Sequence, residues 1–119
     1  MRHRNSKATL NRPADHRKAM MRNLMTSLFL FGKVKTTDAK AKELSRVAEK
    51  LITRVKKNDD MNAIRALKEV IFTEESSRKA LEYARKTSKT SGFTRATKVG
   101  FRDGDSACLI QIDLINEDK

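Results

Sequence analysis

The residues with the most chemistry to offer stand at the start of the chain, MRHRNSKATLNR. Arg2, Arg4, Lys7 and Arg12 are cations, His3 and Asn5 add neutral donors, and no acid appears before Asp15. Guanidinium groups present planar, bidentate donors and ammonium groups a compact charge, and both suit phosphate oxygens. Residues 1–12 carry only one leucine, Leu10, so little apolar bulk obstructs close approach. An extended segment of this kind can follow a groove of a polyanion that a rigid domain cannot enter.

A second block, KTSKTSGFTRATKVGFR over 86–102, repeats this chemistry with Arg95, Lys98 and Arg102 among hydroxyls and without an acid. The competing explanation is an edge strand guarded by charge. Phe93 and Phe101 are candidates for stacking on unpaired bases, with Phe93 the better placed of the two for the core.

Catalysis finds no support. No phosphate-binding glycine loop, dinucleotide fingerprint, zinc-protease helix or nucleophile elbow occurs. His3 and His16 lie among cations, which favours anion contact over general-base work. Cys108 is the one cysteine and the histidines number two, so neither a disulfide nor a zinc site is expected, nor any other cofactor. Asp103 and Asp105 flank Gly104 and are read as turn residues, not metal ligands. An enzyme with a small-molecule substrate is thereby set aside.

Composition points the same way. Lys and Arg total 27 against 15 acids, a formal charge of +12. Self-repulsion on that scale is relieved by a polyanionic partner. The excess is segregated: residues 1–35 hold nine cations and one acid, 36–84 eleven and nine, and 85–102 six and none. No apolar run reaches the roughly 20 residues that span a bilayer. The stretch LMTSLFLF (24–31) lies too far from the start for a secretory signal, and the single cysteine suits a reducing compartment.

The elements that must position these residues follow from spacing. Residues 1–12 show neither period and cannot offset their ordering entropy alone; they form an extended arm before a single globular domain over 13–119. Pro13 suits a helix's first turn, with Asp15 near its positive end. Met20, Met21, Leu24, Met25, Leu28 and Phe29 make the inward stripe of that helix, with Arg17, Lys18 and Arg22 off it, and Gly32 ends it. KVKT (33–36) is a short strand or link. Thr37 caps a second helix with Leu44, Ala48, Leu51, Ile52 and Val55 inward. Ile64, Leu67 and Ile71 mark a third helix, and Thr73-Glu74-Glu75 opens a fourth with Ala80, Leu81 and Ala84 inward. After a loop the period becomes two, through 93–99 and again through CLIQIDLI (108–115). The Asp-Gly turn between them predicts a late β-hairpin.

Taken in order, MRHR (1–4), Leu10-Asn11-Arg12, His16-Arg17, Arg22-Asn23, KTT (35–37), AKEL (41–44), GFTR (92–95) and Arg102-x-Gly104-Asp105-x-Ala107 resemble the family of bacterial-type large-subunit ribosomal protein number seventeen. The resemblance implies an α/β fold of the α+β type, with helices packed on a small mixed sheet. It implies a structural, cytoplasmic component of the large ribosomal subunit, bound to large-subunit ribosomal RNA beside other ribosomal proteins near the polypeptide exit region. The alternative is a free-standing basic protein of the nucleic-acid chaperone or nucleoid type. Carried over by position, the family's basic arm falls on Arg2, His3, Arg4, Arg12, His16 and Arg17, and its later RNA-facing turn on Lys35, Thr36, Thr37, Arg95 and Arg102. The residues' own chemistry adds Asn5, Lys7, Arg22, Lys40 and Lys98. The chain departs from the family's usual Gly-Gly-Tyr-Thr-Arg in having Ser91-Gly92-Phe93-Thr94-Arg95, which removes a tyrosine hydroxyl.

Overall fold

The computed structural model describes residues 8–116. The arm is therefore seen only from Ala8. Arg2, His3, Arg4, Asn5 and Lys7 lie outside the described residues.

Helix α1 (Ala14–Phe31) follows Pro13, whose fixed φ and missing N–H are harmless at a helix start. It buries Met21, Met25, Leu28 and Phe29, leaving Met20 and Leu24 half-buried at the margin of the stripe. Gly32 ends the helix at φ +80°, and its N–H donates to Leu28 O at 2.8 Å. Strand β1 (Lys33–Thr37) leads directly into α2 (Asp38–Lys57). The whole expected stripe of α2 is buried, with Ala41 added one turn earlier. Thr37 stands at the cap position, but its hydroxyl makes no capping bond.

Helix α3 (Asp60–Val70) is capped by Asp59, which accepts from Asn62 N–H at 3.3 Å. Its inward face differs from the expected one. Ala63, Ala66 and Leu67 are buried, Ile71 is buried just past the last turn, and Ile64 is left 40% exposed. Small alanines let α3 lie close to its neighbours, so side-chain size is a poor guide to the stripe here. Helix α4 (Glu74–Lys86) begins at Thr73, whose hydroxyl accepts from Ser76 N–H and donates to Ser76 Oγ at 2.7 Å. Ser76 Oγ in turn donates to Thr26 O at 3.1 Å, a bond that ties α4 to α1 and satisfies a buried hydroxyl.

Strands β2 (Thr94–Phe101) and β3 (Cys108–Leu114) form the expected hairpin, and β1 pairs with β3 on its other side, giving the order β1-β3-β2. Both pairings are antiparallel. The mixed sheet implied by the resemblance is thus corrected to an antiparallel one: the hairpin turns β3 against β2, and β1 runs with β2. Four helices on this sheet make an α+β fold. The helix-facing side of β3 supplies Ile110 and Ile112 to a core built on Met25, Leu28, Leu44, Ile52, Val55 and Leu67. Phe93 is completely buried in that core, which settles its role as packing.

Candidate nucleic-acid interface

The sheet register decides which side chains share a face. Lys33, Asp113 and Arg95 form one cross-strand row, and Lys35, Gln111 and Thr97 the next. Both rows alternate with the buried positions Ile110 and Ile112, so they lie on the side away from the helices. Lys33, Lys35 and Arg95 are exposed there. Neighbouring strands are about 4.8 Å apart and alternate residues about 7 Å, so these cations sit within roughly 12 Å of one another. Asp113 in the middle of its row accepts from Gln111 Nε2 at 2.9 Å and pairs with neither Lys33 nor Arg95.

Some cations of the helices are held in ion pairs. Lys42 pairs with Asp38, Arg54 with Glu69, Lys79 with Glu75 and Arg85 with Asp60. Arg85 also donates to Val55 O and Asn58 O, closing the C-terminal end of α2. Lys56 donates to Thr87 O at 2.7 Å. Lys33, Lys35, Lys40, Arg95 and Lys98 form no ion pair among the described residues, and the same holds for Lys50 and Lys57 on α2.

The other expected contact residues separate into groups. Thr37 lies on the open face beside Leu109, whereas Thr36 and Lys98 stand opposite Ile110 on the helix-facing side. Lys98 is nevertheless exposed, on an edge strand of the sheet. Arg12, His16 and Arg17 gather where the arm meets α1: Arg12 donates to Leu10 O and Arg17 to Arg12 O, which folds residues 9–12 into a turn. Arg22 is used inside the protein. Its Nη2 donates to Lys68 O and Ile71 O, and its guanidinium lies 4.0 Å from the centre of the Phe72 ring.

Arg102 is held in the hairpin turn. Its Nε and Nη2 reach both oxygens of Asp105 at 3.1 and 2.6 Å, and Ala107 N–H adds a bond to the same carboxylate. These hydrogen bonds, that of Arg102 first, hold the Asp105 carboxyl down at about 2. Asp105 thus serves the backbone of the turn in which Asp103 also lies. Among the described residues no group of three or more potential metal ligands comes together, and no helix is long and apolar enough to cross a membrane.

The sequence reading omits Lys33, although its alternation with Lys35 places both on one face of any strand through 33–37. Gln111 and Thr97 could not be found, because nothing local reveals that β3 lies between the two basic strands.

Comparison with known proteins gives one consistent result. The family model for Ribosomal protein L17 matches residues 20–115. The Large ribosomal subunit protein bL17 of Desulforapulum autotrophicum is 44% identical over 117 residues, covering 97% of each chain. The protein of the same name from Pelobacter propionicus is 42% identical over 120 residues, covering 99% of this chain and 94% of the relative. That of Desulforudis audaxviator is 40% identical over 104 residues, covering 86% and 92%. The chain therefore belongs to the Ribosomal protein L17 family.

Proposed function

We propose that the protein is a structural component of the large ribosomal subunit that fastens itself to large-subunit ribosomal RNA through its basic arm and the open face of its sheet. One observation carries the reading. Lys33, Lys35 and Arg95 share one exposed sheet face, where Asp113 between them pairs with neither Lys33 nor Arg95 and no ion pair forms among the described residues. Unpaired cations repel each other in the free protein and release counterions when phosphates replace solvent. Recognition then rests on RNA shape and backbone position more than on base edges. The arm, residues 1–12, contributes Arg2, His3, Arg4, Asn5, Lys7 and Arg12, continued by His16 and Arg17. The helical body, with mixed charges, faces neighbouring ribosomal proteins near the polypeptide exit region, in the bacterial cytoplasm.

The test is sedimentation with large subunits through a high-salt wash, using the full chain and a chain lacking residues 1–12. The full chain should remain with the subunit. The shortened chain should keep its helical circular dichroism and thermal transition but leave the particle. A full chain left at the top of the gradient, binding any RNA or duplex DNA equally, would instead identify a free-standing nucleic-acid-binding protein.

A further inference from the structure

Phe101 closes β2 and is 68% exposed, a large ring with almost no packing role. Its position is set by a β-bulge. From Thr94 to Lys98 the strand pairs regularly with β3, but the register shifts between Lys98 and Gly100, so that Phe101 stands opposite Cys108. Strict alternation would have placed Phe101 on the face of Arg95 and Thr97. The bulge moves it to the other face, the one that carries Lys98.

On that face Lys98 and Phe101 stand opposite Ile110 and Cys108, two residues apart on β3, hence about 7 Å from each other. Both are exposed. The turn beyond is braced: Arg102 N–H donates to Ala107 O at 2.8 Å, Ser106 N–H to Arg102 O at 2.9 Å, and the Arg102–Asp105 pair spans the gap. An exposed ring thus stands at the end of a braced backbone, beside an ammonium group that forms no ion pair among the described residues. Phe72, by comparison, already has Arg22 over its ring.

We propose that Phe101 and Lys98 together receive one unpaired nucleotide of ribosomal RNA, the ring stacking on the base and the ammonium group meeting a phosphate. Arg95 and Lys98, with no acid along β2, make the strand leading to this site attractive to RNA and unattractive to a basic protein extension. The inference rests on the ribosomal reading above and adds a ligand and a face to it.

A photoreactive benzophenone side chain placed at position 101 tests it in assembled large subunits. After sedimentation and irradiation, an adduct confined to an unpaired nucleotide of the RNA is expected. An adduct on a ribosomal protein, or no RNA adduct from a chain that sediments with the subunit, overturns the nucleotide site alone. A chain absent from the subunit overturns the ribosomal reading with it. In binding to purified large-subunit ribosomal RNA, Phe101→Ala and Phe101→Leu should each weaken affinity about tenfold, as loss of one base–aromatic stack does, while Phe101→Trp keeps it. Since the ring is exposed, all three should melt like the parent. Leucine binding as well as phenylalanine would show a merely apolar contact and refute stacking.

Discussion

Glu49 on α2 and Thr94 at the first position of β2 are joined through one carboxylate oxygen. Glu49 Oε1 accepts from Thr94 N–H at 2.9 Å, from Thr94 Oγ1 at 3.0 Å and from Phe93 N–H at 2.8 Å. Ser45 Oγ completes the cluster 2.8 Å from Thr94 Oγ1. This is where the basic hairpin is fastened to the helical body, one residue before Arg95. Glu49→Ala strands the backbone donors of buried Phe93 and half-buried Thr94 and should cost about 2–3 kcal/mol. Glu49→Gln keeps an oxygen acceptor and should cost about 1 kcal/mol. Chemical denaturation of both variants checks the order; equal losses would mean that the carboxylate is not the anchor.

That anchor shows what a sequence can and cannot display. The stripe of α2 is legible because its buried positions recur with helical period. The alternation of β3 is legible because Ile110 and Ile112 must face the core. Period reveals a face and never a partner, so the insertion of β3 between β1 and β2, and with it the row Lys33–Asp113–Arg95, stays hidden. Ile64 misleads because size is taken for burial, while the space goes to Ala63 and Ala66. Arg22 illustrates a limit of composition: its type suits phosphate, but the C-terminal carbonyls of α3 lie nearer.

The Arg102–Asp105 clamp predicts an acid-labile turn. The folded carboxyl titrates at about 2, below its ordinary value, because Arg102 and Ala107 N–H bind its ionised form. Depression of this kind adds stability that is present above the unfolded pKa near 4 and lost as pH falls through about 2. Side-chain carboxyl NMR should therefore place the Asp105 midpoint near 2 in the parent and nearer the ordinary carboxylate range of about 4 in Arg102→Ala. A parent midpoint near 4 would show the pair to be open in solution.

Gly32 predicts a backbone effect separate from contacts. A Cβ there would meet nothing within 4 Å, yet φ of +80° disfavours any L side chain. Gly32→Ala should lower stability by about 1 kcal/mol through conformation alone. The carbonyl of Gly32 also accepts from Leu114 N–H at 3.0 Å, so the loss should appear as faster amide exchange at Leu114. Unchanged stability would mean that the chain relaxes to another cap.

The division between paired and unpaired cations makes the most discriminating prediction. Lys33, Lys35 and Arg95 support no ion pair among the described residues, so replacing all three by alanine should leave stability within about 0.5 kcal/mol for each exposed site. The same replacement should flatten the dependence of log affinity on log salt by about 0.7 for each single-stranded phosphate no longer neutralised, approaching 2 when all three cations are removed. Arg85→Ala should behave oppositely. It frees Val55 O, Asn58 O and Asp60 at the α2–α3 junction and should lower the melting temperature while leaving the salt slope unchanged. Charge alone cannot produce this contrast, because each replacement removes cations from the same protein. It requires the sheet's cations to meet phosphate and Arg85 to serve the fold. A change of slope from Arg85→Ala about a third that of the triple replacement would show that RNA answers only to net charge.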